Sequence, residues 1–557
     1  MKKLVCMTVA MAMTASLFVA CKDDGDDEKT PPPAPAITLK DGDIKETHEI
    51  ESDMSVVVNV AVPAGISDFT IRIDSPCLTP EELGSLGLAA EMNLVSPATT
   101  QMAIGLKGLG FPVSNDVKDK TALSFDISKL IPLIAAIYDK SSDHNFMLTV
   151  TDSKNQSTTE TLKFHLTGSS NVTYNNDADL WANTASFKVK LGNEASEVKF
   201  EYKRSTASDW QQATVVANAD GTYTASIAPK WVTAADHAAG AKQVTLDNAA
   251  GIFAGGKYEY RVLADGVEVE GLSGSLDAPA GSKITGGDME SWEQSYAYLS
   301  QASIDALELT AADLKEASVY YPNASKEAFW ANGNNLLTKT LCQPDTLANN
   351  TYAAKLQGMN AFITFAAGNL YTGVFEFIGV PTASDYLSGY ARFGQKYPFT
   401  ARPSALKVRY KAKITNYTFI SGLKEDLSKD LVGKELDKAR IFVCITDWSE
   451  RHSVMSGMGA MAEGGAAKIN AFDPETQAST AEGKVLAYGS KWIDASTTGD
   501  DWVELVIPIL YKTDTKDTKP GADNYSLVIS AAGSAYGDYL SGSWDNELYL
   551  DNFEWVY

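Results

Sequence analysis

Asn546-Glu547-Leu548-Tyr549-Leu550-Asp551-Asn552-Phe553-Glu554-Trp555 alternates along its length, which places Glu547, Tyr549 and Asp551 on one face of a β-strand. The same period of two recurs in Trp502-Val503-Glu504-Leu505-Val506-Ile507-Pro508-Ile509, with Trp502, Glu504 and Val506 opposite Val503, Leu505 and Ile507. Working outward, strand-like segments lie at 55–62, 69–74, 145–155, 159–166, 185–191, 197–203 and 257–266. Short alternating segments with one polar face are how antiparallel sandwiches are written. The chain is therefore expected to be all-β.

Two helical candidates interrupt the strands. Thr79-Pro80-Glu81-Glu82-Leu83 is a helix start, with an N-cap threonine, a proline in the first turn and acids facing the dipole. Residues 127–134 are apolar enough to be half-buried. The polar turn between 145–155 and 159–166 resembles the last hairpin of an immunoglobulin-like module. Trp181, Trp210 and the Tyr258-Glu259-Tyr260 strand resemble a fibronectin type III sandwich. These readings predict an immunoglobulin-like sandwich with helical insertions over 37–168 and a fibronectin III-like sandwich over 169–280, both acting as spacers.

The N-terminus reads as an address. Lys2 and Lys3 precede an apolar run that stops at Ala20-Cys21, the pattern of a secretory signal peptide over 1–20. Leu17-Phe18-Val19-Ala20-Cys21 resembles a bacterial lipobox, with Phe18 where the commonest have Leu, and implies lipidation of Cys21. An ordinary cleaved signal peptide is the alternative. Lys22-Asp23-Asp24-Gly25-Asp26-Asp27-Glu28 resembles the export signal of surface lipoproteins in Gram-negative gut commensals. The proline-rich stretch at 30–35 completes a tether over 21–36. The expected location is the outer membrane, lipid-anchored and facing the exterior, with outer-membrane transport or glycan-utilisation proteins as partners.

Composition narrows the function. A net charge of −24 over 557 residues excludes nucleic acid, whose phosphates need basic partners. Beyond Cys6 and Cys21 only Cys77, Cys342 and Cys444 remain, too few and too far apart for a disulfide framework or a metal knuckle. Cys444, inside an apolar run, reads as a small core residue.

The region 281–557 opens with Gly286-Gly287-Asp288-Met289-Glu290-Ser291-Trp292 and closes on the strand quoted first. With the stretches 397–411, 502–509 and 530–539 between them, it resembles the putative carbohydrate metabolism domain family of outer-membrane lipoproteins. The resemblance implies a β jelly roll and a role in glycan handling, with a polysaccharide or oligosaccharide as partner.

Seven of the ten tryptophans fall in this region, and indoles beside polar groups suit sugar rings. Trp502 and Trp555 lie in strands and read as structural. Trp292, Trp330, Trp448 and Trp544 sit beside turn residues and are the candidate sugar ligands, with Tyr321 and Arg402 as weaker additions. That reading requires the rings to gather on one open face. Glycoside hydrolysis in the same domain is the alternative function, and a structural or adhesive surface protein is another. Hydrolysis needs two carboxyl groups across the bond. Glu547 and Asp551 are about 13 Å apart along a strand, so they are not such a pair; Glu290, Asp345 and Asp447 are the candidates. No Gly-x-Ser-x-Gly, His-Glu-x-x-His or phosphate-cradling loop occurs. No cofactor is required by this reading. Asp288, Glu290 and Asp551 stand where binding jelly rolls hold a structural calcium ion.

Overall fold

The computed structural model describes residues 32–51, 54–233, 243–322, 329–361, 364–377, 389–455 and 469–557. The expected signal peptide, Cys21 and the acidic run lie outside these residues. Two compact units divide the chain, Met1–Ser169 and Ser170–Tyr557. Among the described residues no helix is long and apolar enough to cross a membrane.

The first unit packs a three-stranded sheet against a five-stranded one. Its longest hairpin, Ser142–Asp152 with Ser157–Leu166, is the one read from the alternation. Phe146, Leu148 and Val150 enter the core with Leu162 and Phe164. Helix Pro80–Ser85 starts as expected, with the Thr79 hydroxyl accepting from the Glu82 amide at 3.3 Å. The second helical candidate folds as Ile131–Ile137, later than the sequence suggested, and a helix that the sequence reading did not include, Thr100–Gly108, lies between the two. The delay is local: the Ile127 amide still bonds to Val56 O at 3.0 Å, and the Asp126 carboxylate caps the Ser128 amide at 2.8 Å. At the end of the expected tether, Thr158 donates to Pro35 O at 2.6 Å and Ala36 begins the first strand, so these residues are already part of the sandwich.

The second unit contains two sandwiches. Four-stranded sheets made from Asn171–Tyr174, Ala185–Lys190, Tyr223–Ile227 and Thr214–Ala217, and from Gln211–Gln212, Val198–Arg204, Lys257–Ala264 and Val267–Asp277, enclose Phe187, Phe200, Tyr202 and Val262. Phe187 and Phe200 meet with ring centroids 4.7 Å apart.

The jelly roll pairs a five-stranded sheet with a ten-stranded one. In the smaller sheet the order is Cys342–Thr346, Tyr352–Gln357, Glu547–Val556, Ala405–Lys413 and Val503–Pro508, all antiparallel. Leu548, Leu550 and Phe553 of the closing strand are buried against the partner sheet, opposite the face that carries Glu547, Tyr549 and Asp551. From its middle to one edge the larger sheet runs Val485–Ile493, Ala439–Thr446, Leu527–Ala532, Asn369–Phe377, Gly389–Phe393 and His452–Met455.

Every residue of Ala439–Thr446 is buried. Ala439, Ile441, Val443 and Ile445 face the inter-sheet core, whereas Phe442 and Cys444 belong to a separate aromatic cluster on the opposite face. A strand covered on both faces explains why this stretch reads as a continuous apolar run.

The ten-stranded sheet reaches across the boundary expected near residue 280. Trp231–Thr233 pairs with Gln243–Leu246, which joins Leu510–Lys512 through the partners Gln243↔Lys512 and Val244↔Tyr511. Trp181, read as a fibronectin-type tryptophan, packs instead with the jelly-roll core, its ring 5.6 Å from Phe399. The two sandwiches of this unit therefore share backbone pairing and core.

Candidate functional site

The outer face of the larger sheet carries a cavity of about 200 Å³. Residues from four strands meet there: Tyr371 and Phe375, Ala391 and Phe393, Arg440 and Phe442, and Ser530 and Ala532. Phe365 and Phe472 add a fifth and a sixth aromatic wall, and Asn335, Asn369 and Asp538 supply polar edges. Phe393 is the hub of the rings, at 4.9 Å from Tyr371 and 6.3 Å from both Phe442 and Phe472.

Arg440 is the one basic side chain among the lining residues. Its Nη2 donates to Asp473 at 2.7 Å and lies 2.9 Å from Glu475, and its Nε donates to Ser490 at 3.1 Å. The guanidinium is also stacked between Trp492, at 4.5 Å, and Phe442, at 5.4 Å. Asn369 is partly committed, accepting from the Gly333 amide at 2.8 Å.

Asp538 differs from these. Its side chain lines the cavity and makes no hydrogen bond or ion pair among the described residues, and burial alone pushes its carboxyl up to about 6. It sits in the short turn Gly537–Tyr539, which the left-handed Leu540 closes at φ 51°. Gly537 is required there because an added Cβ would collide with the Cβ of Ala367.

The loop that carries this turn is held by Asp437. Its carboxylate accepts from Ser534 Oγ at 2.5 Å, the Ser543 amide at 2.9 Å, Asn546 Nδ2 at 2.9 Å and the Lys438 amide at 2.7 Å. Asn546 ties the same loop to Gly533 O at 3.0 Å and to the Thr415 amide at 2.7 Å. The carboxyl of Asp437 is likewise lifted by burial to about 6, against the pull of these donors.

An unpaired, half-buried carboxylate costs stability, and Asp538 predicts a measurable pH dependence. Its folded value lies above the 3.8 of an ordinary aspartate, so the fold disfavours its charged form. The resulting penalty is absent below about pH 4, grows as pH rises, and is complete above about pH 6. Asp538→Asn lacks it. Thermal unfolding is expected to show the variant about 1–2 kcal/mol more stable than the parent at pH 7.5, with no difference at pH 4.

The sequence-derived candidates do not line this cavity. Trp330 and Trp448 are fully buried, which corrects their reading as sugar platforms: neither ring has a free face. Trp330 is sealed between the sheets beside Phe553, its Nε1 donating to Thr285 O at 2.8 Å. Trp448 lies under His452 and Phe472, each 5.3 Å away. Tyr321 is buried in a small satellite core with Tyr298 and Val319. Arg402 is 1% exposed, enclosed by Trp181 at 5.3 Å, Trp231 at 4.9 Å and Tyr511 at 5.4 Å. It fastens the two sandwiches of this unit and has no access to a ligand. Trp292 is half-buried against the inter-sheet core, with its Nε1 donating to Met289 O at 2.7 Å. Trp544 is half-buried in the loop after Asp538.

Glu290 accepts from the Tyr352 amide at 3.0 Å, Asp345 lies in the strand Cys342–Thr346, and Asp447 caps the Lys484 amide. Glu290 and Asp345 both stand at the smaller sheet, whereas Asp447 follows a strand of the larger one. Asp288 and Glu290 are exposed, while Asp551 is buried and 3.7 Å from Arg409. Burial lifts Asp551 to about 6, with the charges of Glu290 and Asp288 adding to it. Among the described residues no group of three or more His, Cys, Asp or Glu side chains is placed to hold a metal ion.

The residues that do form the cavity left one trace in the sequence, an arginine inside the apolar run 439–445. The stretch 530–539, which contains Asp538, is also one of those that carry the family resemblance.

Residues 291–556 match the family model of the Putative carbohydrate metabolism domain. The cavity lies within the matched residues. No curated protein matches the chain. Among solved structures, the chain is similar to a putative glycoside hydrolase from Bacteroides thetaiotaomicron at 16% identity, covering 57% of this chain and 86% of that one with a TM-score of 0.29. A second putative glycoside hydrolase, from Bacteroides vulgatus, aligns at 17% identity over 43% of this chain and 90% of that one, with a TM-score of 0.28. A surface glycan-binding protein from Prevotella bryantii aligns at 11% identity over 94% and 99% of the two chains, with a TM-score of 0.18.

Proposed function

We propose that the chain is an outer-membrane lipoprotein, anchored through Cys21 and facing the exterior, that binds glycan in the cavity of its carbohydrate metabolism domain. Binding would serve carbohydrate uptake or metabolism alongside outer-membrane transport proteins. The observation that carries the reading is the cavity itself: aromatic rings for the apolar face of a sugar, edged by amides, hydroxyls and one uncommitted carboxylate. Hydrolysis is the second reading, favoured by the raised carboxyl of Asp538, which suits a general acid. Asp473 and Glu475, the acids nearest in the network, are held by Arg440, and this favours binding.

Calorimetric titration of the full mature chain with an oligosaccharide panel is expected to give saturable binding. Phe375→Ala, which removes a half-buried cavity ring, should weaken it by about 10-fold, the value of one aromatic contact. Absence of binding across the panel would sink the proposal. New reducing ends, abolished in Asp538→Asn, would replace it with the hydrolytic reading. Loss of lipid labelling and of surface exposure in Cys21→Ser tests the anchor.

A further inference from the structure

The charges around the cavity constrain which sugar enters it. Three carboxylates, Asp538, Asp473 and Glu475, stand against one guanidinium, that of Arg440. Arg440 is already engaged by both acids and by Ser490, and stacked on Trp492 and Phe442. It therefore has no free fork to offer an anion. Lys424 lies over Tyr536 and Tyr539, on either side of Gly537-Asp538, but is paired with Asp426 at 2.5 Å. Tyr371 faces Asp538 from the sheet as a neutral phenol, its ionisation pushed far up by burial. Among the described lining residues, the one charged side chain with no partner is thus an acceptor, Asp538. A cavity of about 200 Å³ is also smaller than the roughly 300–1,000 Å³ of pockets for drug-sized ligands.

Resting on the reading of the cavity as a glycan site, we infer that it takes one uncharged sugar ring at the end of a glycan. Asp538 accepts from two neighbouring ring hydroxyls, the aromatic walls cover the apolar face, and rings bearing a carboxylate or sulfate are turned away. The chemistry is that of hydrogen bonding to charge. A carboxylate presents two acceptor oxygens that match a pair of adjacent hydroxyls, and hydroxyl-to-carboxylate bonds are stronger than neutral ones. An anionic ring would set like charges together in a partly desolvated space, or would have to displace Asp473 or Glu475 from Arg440.

The test pairs neutral and charged versions of one backbone on the full mature chain. Calorimetry would use neutral glucose-, mannose-, galactose- and xylose-based trisaccharides, then trigalacturonate and a sulfated galactotriose. At least one neutral probe is expected to bind, with the anionic counterparts weaker by roughly 100-fold. Asp538→Asn should weaken the neutral probe by roughly 10-fold and narrow the gap to the charged one. Phe375→Ala should weaken both equally, and melting curves confirm that each variant is folded. Equal or tighter binding of the anionic probes, or an unchanged gap in Asp538→Asn, overturns the inference and leaves the glycan reading standing. Binding of no probe at all removes both.

Discussion

Trp330→Ala is expected to destabilise the second unit by about 3–5 kcal/mol, the range for removing a large aromatic side chain from a closed core. The ring has no exposed surface, packs 5.0 Å from Phe553 and 5.7 Å from Phe329, and loses its Nε1 bond to Thr285 O on truncation. The neighbouring strand segment Trp330–Ala331 pairs with Asn369–Phe377, from which Asn369, Tyr371 and Phe375 line the cavity, so the space left behind opens directly beneath the site. Urea unfolding followed by tryptophan emission provides the measurement. Saccharide titration well below the variant's midpoint separates the two roles: a packing residue leaves affinity near that of the parent, whereas a sugar platform would lose affinity with stability intact. A loss under about 1 kcal/mol would contradict the sealed position of this ring.

Asp437→Ala is the second large effect. Four donors converge on this carboxylate, three of them from the loop that carries Asp538. Truncation leaves Ser534, the Ser543 amide and Asn546 without their shared acceptor in a buried place, at a cost of about 3 kcal/mol or more. The loss is not confined to stability, because Ser534 lines the cavity and Gly537–Tyr539 lies between the anchored points. Saccharide affinity should therefore fall together with hydrogen-exchange protection of residues 533–546. Asp437→Asn keeps the shape but turns an amino group toward donors, and should fall between the parent and Asp437→Ala. Unchanged exchange protection in Asp437→Ala would show that the loop is held by other contacts.

What could be read from the sequence follows from the range of the interactions concerned. The hairpin Ser142–Leu166, the start of the helix at Thr79 and the two faces of the closing strand are set by neighbours a few residues apart, and alternation or a capping pattern records them. The role of Trp330 is not set locally. It precedes Ala331-Asn332-Gly333-Asn334-Asn335, which looks like an exposed turn, yet Asn332 and Asn334 turn inward to bond Tyr320 O at 3.0 Å and Cys342 O at 2.6 Å. Those polar side chains satisfy buried backbone, so they seal the tryptophan in. The cavity was hidden for a related reason. It is made by residues near positions 335, 371, 393, 441, 472 and 538, brought together by sheet order, and only three of its six rings, Phe365, Tyr371 and Phe375, are near one another in sequence. Arg402 shows the remaining failure: it was expected to add to a sugar site, but the cage around it is assembled from Trp181, Trp231 and Tyr511, far apart in sequence.

The shared sheet has a practical outcome for anyone dissecting the molecule. Excising residues 283–557 would strip Gln243–Leu246 from Leu510–Lys512, leaving an unpaired rim prone to sticking to other copies, and would unroof Arg402 by deleting Trp181 and Trp231. A truncation that begins at residue 170 keeps both, and is the shorter piece in which the cavity should survive purification.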